Sequence, residues 1–187
     1  MSGLPVEVSV RSSSIHRTMA DFFSESQRQQ LAYDLWQRVR QVPGFSAVLA
    51  VVVDPPKLLL DGSTYEVIIR CSLPAGHSLV LAAVSLQHQH QAGPVVMGFD
   101  VHEQLQGQGF GRMIHDTIVA DFVKHHQAGM ATLNVVREDA IKGSAKFWAK
   151  MGYKPLCGVR LQPVECSHHA CRKDYVLQNG GPMYRHY

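Results

Sequence analysis

The chain has 187 residues, 45% of them hydrophobic and 18% charged, with a formal net charge of +3. This length and apolar share suit one domain with a packed core and exclude a disordered chain, and the dispersed Lys and Arg, paired only locally as in Arg172-Lys173, imply no nucleic-acid partner. No apolar run approaches the ~20 residues of a membrane helix, the opening MSGLPVE has no secretory pattern, and four cysteines are too few for a disulfide scaffold; the expectation is a single cytoplasmic domain over residues 1–187 with no membrane partner.

Residues 5–11 (PVEVSVR) alternate apolar and polar and predict a half-buried strand, followed by a Ser-rich loop at 12–14. Ser24 and Gln27 stand at capping-box spacing. Leu31, Leu35, Val39 and Val42, widened by Ala32 and Trp36, continue an apolar stripe, so a helix is predicted over 25–42, stopped by Pro43-Gly44. Val, Ile and Leu then dominate 46–53, 65–71, 79–86 and 95–101, separated by Asp-Pro-Pro, Asp-Gly-Ser, Pro-Ala-Gly and Ala-Gly-Pro turns, which predicts antiparallel strands. The polar 87–91 segment (QHQHQ) reads as an exposed hairpin loop. A glycine-rich turn at 107–111 opens a helix carrying Ile114, Ile118 and Phe122, which ends near His125-His126 and Gly129. A strand at 130–136, a short helix at 144–151 closed by Gly152, and strands at 153–161 and 172–177 complete a mixed α/β domain with an open sheet.

The chemistry concentrates where a strand runs into the glycine turn. Amides at a helix start have no intrahelical acceptor. With the positive end of the helix dipole they form an anion site suited to phosphates. Glycines at 107, 109 and 111 bare the backbone, and Arg112 adds a positive charge. A P-loop string is absent. The dinucleotide fingerprint fails, because the sixth position from Gly107 is Arg112 and from Gly109 is Ile114. The zinc-protease pattern fails because Gln106 stands where the second histidine belongs.

The segment Gln106-Gly107-Gln108-Gly109-Phe110-Gly111, followed by Arg112, does match Gln-x-x-Gly-x-Gly. It resembles the acyl-CoA loop of the GNAT superfamily of N-acetyltransferases, and Leu133-Asn134-Val135 and Phe147-Trp148 through Gly152-Tyr153 resemble that family's next strand and helix. The resemblance covers about residues 95–157. It implies a GNAT-like mixed open sheet of about six to seven strands, largely antiparallel with one splayed parallel pair, flanked by helices. It further implies acetyl transfer from acetyl-CoA to a primary amine by direct attack, and it admits a homodimer.

Carried over, backbone groups at Phe99 and Val101 hold the pantetheine arm, and Gln106, Gly107, Gln108, Gly109, Phe110, Gly111 and Arg112 hold the diphosphate. Glu103, then His102 and Asp100, are the base candidates, since an ammonium acceptor must lose a proton before it attacks. The family's helix carries a Tyr that protonates the departing thiolate; Trp148 stands at that position here and is placed instead in the cofactor wall, leaving Tyr153 or water as the proton source. That departure motivates an alternative, a catalytically silent acyl-CoA-binding module. Cys166, His168, His169 and Cys171 lie within six residues; one short loop does not easily wrap a tetrahedral metal, so the expectation is a polar loop and no metal site, with a zinc-binding protein as the rival.

Overall fold

Ser24 starts the first helix as its spacing predicts. Its backbone N–H donates to Gln27 Oε1 at 2.8 Å, and its hydroxyl accepts the Gln27 N–H at 3.4 Å, the two halves of a capping box. The computed structural model of the protein describes residues 22–90, 92–157 and 172–187. Helix α1 spans Glu25–Val39 and buries Leu31, Leu35 and Val39. It stops three residues before the predicted end. Val42, Phe45 and Val48 remain buried in the turns beyond it, so the apolar spacing outlasts the helix and had overstated it.

Strands β1 (Ala50–Val53), β2 (Lys57–Leu58), β3 (Thr64–Ser72), β4 (Ser78–Gln89) and β5 (Gly93–Val101) come next. Helix α2 (Phe110–His125) crosses to β6 (Met130–Val135). Then come α3 (Arg137–Ile141), α4 (Ser144–Lys150), β7 (Lys154–Pro155), α5 (Lys173–Asn179) and β8 (Gly181–His186). The sheet runs β1-β3-β4-β5-β6-β8-β7, with β2 added beside β3, eight strands among the described residues. Every pairing is antiparallel except β5 with β6. This is the layout the resemblance implies: a largely antiparallel open sheet, one parallel pair, helices against it. A parallel neighbour needs a crossover, and α2 supplies it.

On β3, buried Val67, Ile69 and Cys71 alternate with the more open Ile68, Arg70 and Ser72. Together with Val84 and Leu86 of β4 and Ile118, Val119 and Phe122 of α2 they form the core. Asp121 of α2 ties the two long helices, accepting the Phe23 N–H at 2.9 Å and the Gln27 side-chain amide at 2.7 Å. No helix of the described residues is long and apolar enough to cross a membrane.

Some predicted elements change. The strand expected at 172–177 is helix α5: of residues 172–176 only Val176 is buried, where a half-buried strand would bury every second side chain, and the last strand is β8 beyond it. The strand expected at 46–53 keeps only β1, because 46–49 wind from the helix back to the sheet. The 87–91 segment is not loop at its start, since Gln87, His88 and Gln89 pair with Val95, Pro94 and Gly93. The 130–136 strand ends at Val135, and Val136 caps α3, a five-residue helix too short for periodicity to show. After Gly152 only Lys154 and Pro155 pair as strand among the residues up to 157. The 5–11 strand, the 12–14 loop, residues 158–161 and the Cys166–Cys171 cluster lie outside the described residues.

Candidate functional site

β5 and β6 pair only at Val95–Thr132 and Val96–Leu133. Beyond that point each strand keeps its other neighbour: β5 stays on β4 as far as Val101–Ala82, and β6 stays on β8 as far as Val135–Gly181. The two strands therefore part. The cause is local. Ser85 pairs with Gly98 and Leu86 with Val96, so Met97 is an extra residue in β5. Such a bulge bends and twists its strand, and it falls one residue past the last β5–β6 pair. The His102 N–H donates to the Leu81 carbonyl on the β4 side at 2.8 Å. By strand alternation, Phe99 and Val101 turn their backbone groups to the opposite, opened side.

The turn closes directly below. Leu105, 1% exposed, anchors a short helical turn at Glu103–Leu105. The Gln106 side-chain amide donates to the Val101 carbonyl at 2.8 Å, and that of Gln108 donates to the Gln104 carbonyl at 2.7 Å. Both glutamines thus shape the loop. Gly107 and Gly109 take φ of +75° and +86°, with no atom within 4 Å of where a Cβ would stand. Among the described residues, none accepts a hydrogen bond from the amides of residues 107–112. Gly111 has another reason: a Cβ there would sit 3.1 Å from Phe147 Cε2. Arg112 spans to α4 and donates to the Lys150 carbonyl at 2.7 Å, so its charge stays at the start of α2 while its guanidinium also caps a helix end.

Phe99 faces the helices, its ring 5.9 Å from Phe147 and 5.4 Å from Trp148. Trp148 is 8% exposed among Phe99, His115 and Tyr153, so it backs the wedge rather than lining open space. Asp100 and Glu103 are exposed at the end of β5. His102 is half-buried, its ring edge-on to Phe45 at 5.4 Å, and its buried Nδ1 has no partner among the described residues.

Tyr153 is not brought together with these three; its hydroxyl lies 3.1 Å from His115 Nε2. His115 is fully buried, and sequence reasoning missed it, because there it is one His on an otherwise apolar helix face. Its Nδ1 is 3.0 Å from Asp116 Oδ1, and Nε2 is 3.0 Å from the Tyr187 hydroxyl. Arg185 donates to the same Asp116 oxygen at 2.8 Å. Burial, more than the Arg185 charge, pulls the imidazole down to about 4 against the opposing pull of Asp116, so it is neutral at pH 7. Burial also pushes the Tyr153 hydroxyl well above its ordinary value, which makes it a poor proton donor. An open recess of about 410 Å³ lies elsewhere, lined by residues of α4, β7, α5 and β8 such as Tyr153, Lys173 and Met183 and by none of β5 or the turn.

No family model matches the chain, and no curated protein matches it. Among solved structures it is similar to a GNAT-family acetyltransferase from Staphylococcus aureus, at 9% identity over 69% of this chain and 71% of that one, with a TM-score of 0.47. It is similar to an IAA acetyltransferase from Bacillus cereus, at 14% identity over 73% and 99%, TM-score 0.47. An acetyltransferase from Streptococcus agalactiae matches at 12% identity over 66% and 67%, TM-score 0.45. With its sheet order, its single splayed parallel pair and its glycine turn at the crossover helix, the chain has a GNAT-like fold.

Proposed function

We propose that the protein is an N-acetyltransferase of the GNAT superfamily that takes acetyl-CoA as donor substrate and a primary amine as acceptor. One observation carries the reading: an unpaired strand edge, opened by the Met97 bulge, leads directly into a turn whose amides have no acceptor among the described residues. A pantetheine arm contains peptide-like amides and can add to such an edge as a peptide strand does. A diphosphate suits the bared amides and dipole of α2. The Val101 carbonyl is already taken by Gln106, so Phe99 carries the strand-like pairing, while the Val101 N–H, with no acceptor among the described residues, polarises a thioester carbonyl.

The acceptor nitrogen bonds to the carbonyl carbon, the carbon–sulfur bond breaks, and CoA leaves as thiolate. The acceptor's surplus proton goes to a base at the end of β5. Of the three candidates, His102 is the one held in place, by its backbone bond to Leu81 and its ring contact with Phe45, whereas Asp100 and Glu103 are exposed. The thiolate takes its proton from water, because the Tyr153 hydroxyl is engaged with His115. That engagement, with Trp148 at the helix position of the usual tyrosine, also favours a second reading: a module that binds acyl-CoA without turnover.

The test is CoA release from acetyl-CoA across polyamines, amino acids, peptides and aminoglycosides. Turnover on any amine, lowered about a hundredfold in His102→Gln, supports transfer. Tight CoA binding with no product on any amine supports the silent module. Neither binding nor turnover refutes both.

A further inference from the structure

Three contacts tie the start of α2 to α4 and to the α4–β7 junction. Phe147 packs where Gly111 lacks a Cβ, Arg112 reaches the Lys150 carbonyl, and one turn further in His115 meets Trp148 and Tyr153. The first two lie at the surface or in half-buried positions; His115 is fully buried. Its hydrogen bonds have a definite order. Asp116 Oδ1 accepts from Arg185 at 2.8 Å and lies 3.0 Å from His115 Nδ1; as an acceptor, and as a nearer partner than the Arg185 guanidinium at 3.3 Å, it places the His115 proton on Nδ1. Nε2 is then a single lone pair with two hydroxyls in reach, Tyr153 at 3.1 Å and Tyr187 at 3.0 Å, themselves 3.4 Å apart. One hydroxyl donates to Nε2 and the other is held within the pair. Five side chains from α2, the α4–β7 junction and the β8 end of the chain are thereby joined, and the imidazole cannot turn or slide without leaving buried polar atoms unpaired.

We propose that His115 is a positioning residue for the cofactor turn: by fixing the second turn of α2 against Tyr153 and Tyr187 it holds the amides of residues 107–112 aimed outward before any ligand arrives. The inference rests on the acyl-CoA reading. It makes a specific demand. Loss of His115 weakens ligands that use the turn and spares ligands that use only the strand edge.

The experiment is calorimetric binding of CoA and of pantetheine, which lacks the diphosphate, to the wild-type protein, His115→Leu and His115→Gln. Gln can return an acceptor near the Nε2 position. The expected result is an affinity for CoA about tenfold weaker in His115→Leu, the size of one buried hydrogen bond, with pantetheine affinity unchanged within twofold and CoA binding restored in His115→Gln. Where His115→Leu does not fold, Tyr187→Phe, which removes one of the two hydroxyls, is read the same way, with a smaller CoA loss and no pantetheine loss. Equal losses for both ligands, or no loss for CoA, overturn the proposal while leaving the cofactor reading in place. A wild-type protein that binds no CoA overturns the cofactor reading, and this inference with it.

Discussion

Acid should destabilise this protein well before its carboxylates protonate, and His115 sets the size of the effect. In the unfolded chain an imidazole takes its proton near 6.5; in the fold, burial above all holds His115 to about 4. Between those values the unfolded state binds the extra proton, so stability is fully present above about pH 6.5 and is lost as pH falls through the window. At about 1.4 kcal/mol per pH unit, the whole window is worth about 3 kcal/mol, and the part down to pH 5 about 2 kcal/mol. Asp116 is lowered as well: burial pushes its carboxyl up, but the hydrogen bonds with His115 and Arg185 hold it below its ordinary 3.8, so its own contribution is lost only at lower pH and does not blur the window. His126 at the end of α2 shifts in the same direction as His115, also to about 4, through burial and its neighbours His88 and His125; being partly open to solvent, it adds less. Urea unfolding of wild type and His115→Gln at pH steps from 7 to 5 isolates the imidazole. Wild type should lose about 2 kcal/mol more than the variant over that range. Parallel profiles would refute the assignment of the shift to this residue.

Substitutions at Gly109, Gly111 and Ser24 test the turn and the cap. Gly109→Glu should abolish CoA binding by calorimetry, since its side chain enters the space left for the anion with a like charge, while Gly109→Ala should weaken it several-fold, because a φ of +86° costs an L residue about 1 kcal/mol. Gly111→Ala should instead lower the stability to urea, by about 1–3 kcal/mol for overpacking against Phe147, and Phe147→Leu should restore part of the loss. Ser24→Ala should cost about 1 kcal/mol in urea unfolding without changing CoA affinity, since its cap faces Gln27 and is remote from the turn in the chain.

The strong periodic signals in the sequence translated well. The Ser24–Gln27 box, the Ile114-Ile118-Phe122 stripe and the Val-rich runs of β3 to β5 each depend on neighbours a few residues apart, and each appears in the fold. The glycine turn was legible too, but not the division of labour within it. Gly107 and Gly109 answer to backbone conformation, Gly111 to a ring 36 positions later in the chain (Phe147), and the two glutamines spend their side chains on the loop itself. The short elements failed. In α5 and α3 there are too few residues for a period of 3.6 to show, and Tyr175-Val176-Leu177 reads equally well as strand. The Met97 bulge left no composition signal, because it is a mismatch of register between two strands and not a property of either. His115 was invisible for a similar reason: its partners Tyr153, Arg185 and Tyr187 are brought to it from distant parts of the chain.

The most direct test is to watch the turn itself. In a protein labelled with nitrogen-15, the backbone amide resonances of Gly107, Gly109 and Gly111 should move together and saturably as CoA is added, and should stay still on addition of pantetheine, which has no diphosphate to offer them. If CoA leaves those three signals where they were, or moves only signals elsewhere, the turn holds no diphosphate.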